Sequence, residues 1–429
     1  MAVLRAFRPL RYNPTAVGDL PAVVAPPYDV ISAAQRAALH ARSEYNVVRL
    51  ILNAAADPYA AAAERLQAWR RDGVLVRDAH PSLGYHIEDF PLRDGSRRRR
   101  EGILGIVRLE PFASGRIRPH ERTFARAKED RMRLLRACRA NLSPIFSLFP
   151  NQMGLFDPLR QWAQTRRPDM ALSDDAGVHH RLWLVTDPAS IAATTARLAD
   201  ETLFIADGHH RYETALTYRN ERRAGAETGS GIPAPYDSVM MTFVDMDRPG
   251  LVILPTHRLV FGLAQFSAAQ FQAEARKFFN VEEVDAGIDA ARATAILQQA
   301  GHAGTALLAV TAERAFLMHT PKAIGSALFG TLSLRQQVLD VVQLHKCLLE
   351  GVLKISEEAI RNQDNVSYCR ETADALSQVQ TGKVQAAFLM NPVRMEQVRD
   401  IAFAGEVLPQ KSTDFYPKLL SGLTIYALE

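Results

Sequence analysis

Five consecutive residues within LFIADGHHRYETALTYRN (203–220) carry the side chains that hold phosphate, move protons and bind metals: Asp207, Gly208, His209, His210 and Arg211. An apolar run, LFIA, precedes them and a helical pattern, YETALTYRNERRAG, follows. A strand that turns at a glycine into a helix presents unpaired backbone N–H groups and partial positive charge, which suits an anion. Gly208 lets the backbone approach a ligand closely, and Arg211 offers a planar fork for phosphate oxygens. His209 and His210 can donate to phosphate or carry protons. Asp207, at the strand end, suits Mg2+ or the proton of an attacking hydroxyl. The plain alternative is that Asp207 caps the helix and the histidines are polar surface, but two histidines and an arginine exceed what a cap requires. Adjacent histidines point in different directions on a strand or a helix, so one metal ion shared by His209 and His210 is the weaker expectation.

Three further stretches hold reactive types. GRIRPHERTFARAKEDRMRLLRACRANLSPIF (115–146) contains His120, Glu121, Thr123, Lys128, Asp130, Arg131 and Asn141. A His120-Glu121 pair after Pro119 suits acid–base work or a metal, whereas AKEDRMRLLRACRA reads as a plain amphipathic helix. LPTHRLV places Thr256, His257 and Arg258 at the end of the apolar strand GLVIL, where ligand groups collect in α/β units. LPQKSTDFYPKLLSGL (408–423) carries Lys411, Ser412, Thr413, Tyr416 and Lys418, types that suit an anionic substrate and equally suit a packed C-terminal connector. HxxxH and HExxH spacings are absent, so zinc would have to draw on His120, His179, His180 or His257. GxxxxGK[ST], a GxGxxG after a strand, and GxSxG are also missing.

Composition narrows the classes. The 429 residues suit two or three domains, and 47% hydrophobic with 23% charged residues is ordinary for a globular protein. A net charge of +4, from 51 basic and 47 acidic residues, gives no argument for nucleic acid. Cys138, Cys347 and Cys369 are an odd, dispersed set without CxxC, which suits a reducing compartment. No eighteen apolar residues run together and no signal-like core opens the chain, so a cytoplasmic protein without a spanning helix is expected.

The elements that position these residues are legible as an α/β or α+β pattern in three modules: 1–175, 176–262 and 263–429. In the first, VVA (23–25) is expected as a short strand before Pro26-Pro27, and Ser32 as the cap of AAQRAALHAR. Gly73 should close the helix YAAAAERLQAWRRDG, and Asp94-Gly95 should turn a hairpin whose rim carries Arg97 to Arg100. The central module reads β-α-β-α-β-β: HHRLWLVTD, PASIAATTARLAD, ETLFIA, the motif and its helix, then two strands around DMDRPG. The last module mixes helices such as SLRQQVLDVVQLHKCLLEGVLK with strands such as TALLAVTAERAFLMH and VQAAFLM.

The stretches APPYDVIS, IRPHERT, DRMRLLRA…NLSPIF, LFIADGHHRYETAL, GLVILPTHR and LPQKSTDFYPKLLSGL, in that order along the whole chain, resemble domain-of-unknown-function family 1015. More loosely, RLWLVTD…ASIAATTARLADETLFIADGHHRYETAL is similar to the core of the ParB/sulfiredoxin-like superfamily. There a Gly-[His/Glu]-[Arg/His]-Arg turn opens a helix and binds nucleotide phosphates: ATP in sulfiredoxins, CTP in ParB proteins, ADP in an archaeal free serine kinase. That resemblance implies that Gly208, His209, His210 and Arg211 meet phosphates, with Asp207 near the metal or the acceptor hydroxyl. The sulfiredoxin cysteine is replaced by His209, and no basic helix-turn-helix follows the motif, which sets aside sulfinic-acid reduction and a DNA clamp.

The expectation is a nucleotide-dependent phosphotransferase that uses ADP or ATP with Mg2+ on a small hydroxylated metabolite, best guess free serine. Arg211, His210 and the helix N-terminus would supply the positive field and Asp207 or Glu121 the base, with His120, Arg258 and Lys411 completing the pocket. The alternatives are a nucleotide-binding regulator that does not turn over, and a metal-dependent hydrolase built on His120, Glu121, His209 and His210.

Overall fold

The computed structural model describes residues 3–92, 94–121, 125–150, 154–225, 233–323 and 328–429, with side chains from 128 onward in the helix that starts at 125. Thr123 lies outside the described residues. Two compact units emerge: Met1–Pro119, Thr123–Val252 and Pro417–Glu429 form the first, His120–Arg122 and Ile253–Tyr416 the second.

In the first unit, nine strands among the described residues make one sheet. They are β1 (Leu4–Arg5), β2 (Leu83–Pro91), β3 (Arg97–Arg108), β4 (Ile117–Pro119), β5 (Ile145–Phe149), β6 (Met170–Ser173), β7 (His179–Val185), β8 (Leu203–Asp207) and β9 (Ser238–Asp245). The order is β4-β8-β5-β9-β3-β2-β7-β6, with β1 on β3. Most neighbours are antiparallel, while β8 runs parallel to β4 and β9 parallel to β5. The sheet therefore joins residues on either side of position 175, since β7 lies between β2 and β6.

The helices of this unit are α1 (Ala33–Arg42), α2 (Pro58–Arg71), α3 (Ala125–Cys138), α4 (Pro188–Leu198) and α5 (His209–Ala224). Ser32 caps α1 in a full capping box with Gln35, and Asp187 caps α4. Gly73, just past α2, takes φ +71, and Gly95 takes φ +80 in the hairpin turn. β7, α4, β8, α5 and β9 follow in the order read for the central unit. The core under the motif holds Leu203, Ile205, Tyr212, Ala215, Met241 and Phe243. Phe204 and Ala206 are buried too, so LFIA is apolar on both faces of a central strand rather than alternating.

Three local expectations change. Residues 23–25 form no strand; Ala25 makes one bridge to Ser421, because Pro21, Pro26 and Pro27 supply no N–H to a ladder. Arg97, Arg98 and Arg99 lie on the wet rim of the hairpin, but Arg100 is buried against Glu88, its partner across the ladder. Ser238–Leu254 is followed by a third strand, so His257 and Arg258 lie within a strand rather than after one.

The second unit has a six-stranded sheet built from β10 (His257–Val260), β11 (Asn280–Val284), β12 (Ala306–Val310), β13 (Ala315–His319), β14 (Val366–Cys369) and β15 (Ala386–Met390), ordered β11-β13-β12-β15-β10-β14. TALLAVTAERAFLMH is a hairpin of two strands, β12 and β13, rather than one. Helices α6 (Ala290–Gly301) and α7 (Thr372–Gln380) supply Ala293, Leu297, Ala375 and Leu376 to its core. The three cysteines are free thiols, and burial pushes those of Cys138 and Cys347 up to about 12. Among the described residues no helix is long and apolar enough to cross a membrane.

Candidate functional site

The five-residue motif sits where β8 ends between β4 and β5. The register of β8 against β5 slips between Ile205 and Asp207, which leaves Asp207 opposite Phe146. Such a bulge re-aims the side chain at the strand end. Gly208 then takes φ +95, a left-handed conformation open to glycine, and α5 starts at His209. Gly208 stands at the N-cap position and brings no side chain to the first N–H groups of the helix. Asp207 Oδ2 accepts a hydrogen bond from Arg211 Nη2 at 2.6 Å, and Lys418 Nζ stands 3.5 Å from Oδ1. Arg211 Nη1 also donates to the Pro144 carbonyl. A Cβ at position 208 would stand 2.9 Å from Arg211 Nε, so the guanidinium occupies the space that glycine leaves open. His209 is buried and His210 half-buried on the first turn.

The Asp207 carboxylate thus faces two cationic side chains. Mg2+ seeks hard oxygen ligands in near-octahedral geometry, and a carboxylate already held by a guanidinium and an ammonium does not fit a resident ion.

The face of α5 that carries Arg211 also carries Thr214, one turn on. Both line a cavity of about 60 Å3 with Tyr28, Arg131, Asn141 and Ser143, over an apolar floor that includes Ile145 and Val239. One water needs about 10–15 Å3, so the space admits a small polar group. Two of these lining residues hold a buried atom without a hydrogen-bond partner, Arg211 Nε and Thr214 Oγ1. Buried polar atoms are almost always paired, so these two orphans call for a physical account. Across the cavity the Arg131 guanidinium stacks 4.0 Å from the centre of the Tyr28 ring and donates to the Ile51 carbonyl at 3.1 Å. Burial pushes the Tyr28 phenol up to about 12, with Asp29 adding to the shift, so the hydroxyl stays protonated.

Sequence inspection singled out Arg211 and missed Thr214. Its one signal is the i+3 spacing from Arg211. Tyr28, Arg131, Asn141 and Lys418 come from three distant segments, and only the fold gathers them around the motif. α3 packs beside α5 through Lys128–Glu213 at 2.8 Å and Arg136–Glu221 at 2.6 Å, which brings Arg131 to the cavity.

His120, Glu121, Arg258 and Lys411 belong to the second unit. Glu121 Oε1 accepts from the backbone N–H groups of Ser412 and Thr413, both at 3.2 Å, and from the Thr413 hydroxyl at 3.1 Å. His120 Nε2 lies 2.7 Å from Thr413 Oγ1, and its ring meets Phe415 edge-on. The pair clamps the 409–413 loop, in which Lys411 takes φ +57 and is half-buried. Arg258 is fully buried; it donates to the Thr256 and Gln410 carbonyls and, at 3.3 Å, to His345 Nε2, and stacks 5.2 Å from the Tyr368 ring centre. Burial pulls Arg258 down to about 10. His345 is held well below its ordinary value by burial and by the charges of Arg258 and Lys346.

Several solved structures share features with this chain. A conserved hypothetical protein from Pyrococcus furiosus is 14% identical, with a TM-score of 0.35 over 71% of this chain and 89% of its own. A free serine kinase in complex with AMP is 13% identical, with a TM-score of 0.36 over 70% and 83%. C-terminally truncated SbnI from Staphylococcus aureus is 12% identical, with a TM-score of 0.32 over 74% and 85%. No curated protein matches the sequence. Residues 4–342 match the family described as "Protein of unknown function (DUF1015)". They include the Gly208 turn, the Tyr28 segment and the Arg131 helix, and the chain is a member of that family.

Proposed function

We propose that the protein binds a nucleoside di- or triphosphate at the Gly208 turn and transfers its terminal phosphoryl group to a small hydroxylated metabolite, namely free serine. The observation that carries this is a buried arginine whose Nε lacks a partner, on the first turn of a helix that opens at a left-handed glycine, beside a cavity. Phosphoryl transfer asks for positioned cations more than for covalent chemistry. The N–H groups that open α5 would receive the phosphates, and Mg2+ would arrive on the nucleotide as part of the substrate. Arg211 would move its free donor onto a phosphate or carboxylate oxygen, and Asp207 would hold the guanidinium in place. The acceptor hydroxyl would attack phosphorus as the bond to the leaving nucleotide breaks, with its proton passing to His210. The residues invoked all belong to the first unit.

The test is binding of ADP, ATP, CTP and inorganic phosphate by calorimetry, followed by phosphoserine formation from serine with the best nucleotide. Tight nucleotide binding with turnover is expected. Arg211→Ala should weaken binding about 10- to 100-fold, the worth of a charge-assisted hydrogen bond. Nucleotide affinity unchanged in Arg211→Ala would sink the assignment of the turn. Binding without phosphoserine, across a panel of hydroxy acids, would favour the non-catalytic regulator.

A further inference from the structure

We infer that His86, Glu88 and His180 form a buried site for one divalent transition-metal ion of the zinc class. His86 and Glu88 are two apart on β2 and share a face, and His180 on β7 stands opposite Glu88 in the ladder. The three side chains are buried, at 4%, 1% and 2% exposure. His86 Nε2 lies 3.2 Å from His180 Nδ1, which lies 3.7 Å from Glu88 Oε1. All three ligand atoms fall within 4.8 Å of one another, the one such grouping among the described residues. Zinc–nitrogen bonds of about 2.0–2.1 Å in a tetrahedron set ligand atoms roughly 3.4 Å apart, close to the two short spacings here.

The hydrogen bonds around His180 and Glu88 leave a lone pair of each pointing inward. His180 Nε2 lies 3.2 Å from Asp174 Oδ2. A carboxylate only accepts, so Nε2 carries the hydrogen and Nδ1 keeps its lone pair toward His86 and Glu88. A carboxylate behind a histidine is the usual outer support of a metal ligand. Glu88 Oε2 accepts from Arg100 Nε at 2.6 Å, whereas Glu88 Oε1 is buried with no hydrogen-bond partner. A hydrogen bond between the two rings would satisfy the histidines and leave that anionic oxygen unpaired; a cation satisfies all three. With neutral rings, Glu88, Asp174 and Arg100 sum to one negative charge in a buried place, which also favours a cation. Asp174, behind His180, lines a cavity of about 250 Å3 together with Arg42 and Asp175. The ion would tie β2 to β7 and, through Asp174, to the turn before β7.

The experiment strips the full-length protein with chelator, reloads it with Co2+ or Zn2+, and measures retained metal, the visible Co2+ spectrum and the thermal midpoint. One ion per chain, a low-symmetry Co2+ absorption band and a higher midpoint with Zn2+ are expected. Asp174→Asn should weaken metal affinity about 10- to 100-fold, as loss of an outer-shell partner does. His180→Gln should abolish the Co2+ band. If His180→Gln does not fold, the wild-type spectrum decides alone. Substoichiometric metal with no Co2+ band in the wild type, or an unchanged band in a folded His180→Gln, overturns the site.

Discussion

Asp207 and Arg211 close a one-turn ion pair, Nη2 to Oδ2 at 2.6 Å, with side chains only 18% and 14% exposed. The pair bridges the left-handed Gly208 and fixes the guanidinium beside the start of α5. On the proposed function Asp207 positions the guanidinium, and Arg211 supplies the buried donor that has no partner. Asp207→Asn should therefore lower phosphate and nucleotide affinity less than Arg211→Ala does. It should also lower stability by about 1–3 kcal/mol, since it leaves buried donors poorly matched. Calorimetric titration and denaturant melts of both variants check the order; the reverse order would make Asp207 the contact group.

Gly208→Ala should be damaging on two counts. A non-glycine residue at φ +95 costs about 1–2 kcal/mol, and its Cβ would stand 2.9 Å from Arg211 Nε. The guanidinium would have to shift, so nucleotide affinity should fall along with the melting midpoint. A variant that melts as wild type and binds as wild type would show that neither the backbone conformation nor the arginine position is needed.

Arg258, expected from sequence as a nucleotide contact, is a buried brace among Thr256, Gln410 and His345. Arg258→Lys cannot reproduce the planar fork, so about 1–3 kcal/mol of stability should go with the orphaned carbonyls. Nucleotide affinity, measured well below the midpoint of the variant, should stay at the wild-type value. An affinity loss in a variant of unchanged stability would restore Arg258 as a contact.

His345 is held neutral by burial first and by Arg258 and Lys346 next, so its folded value lies below the 6.5 of the unfolded chain. Above pH 6.5 neither state binds the proton and the full stability is present. As pH falls below 6.5 the unfolded chain takes up a proton that the folded ring refuses, and stability declines until the folded value is reached. His345→Gln keeps an acceptor for Arg258 and removes the titration. Its stability should lose about one proton's worth of pH slope between pH 6.5 and 5 relative to wild type. Identical slopes would mean that His345 titrates as it does in the unfolded chain.

Local rules made much of the chain legible. The Ser32 capping box, the Asp94-Gly95 turn, the Gly73 stop and the strand–glycine–helix order around Gly208 all follow from a few neighbouring residues. Local chemistry also marked Arg211 and His180, though not what each would face. The misread elements share a cause. Arg100 sits in a run of four arginines and looks solvated, yet ladder pairing sets it against Glu88. The VVA segment has strand residues but lacks donors on both sides.

By itself the sequence determined the α/β character, the family and the turn at Gly208, because glycine conformation, capping and hydrophobic periodicity act over a few residues. Only the tertiary structure decided what surrounds that turn. It brought Tyr28 and Arg131 to one cavity wall, set Lys418 against Asp207 from more than two hundred residues away, and put His86, Glu88 and His180 on one buried face of the sheet. Strand order and the β8 bulge fix these meetings, and both depend on pairing between distant segments that no local pattern records.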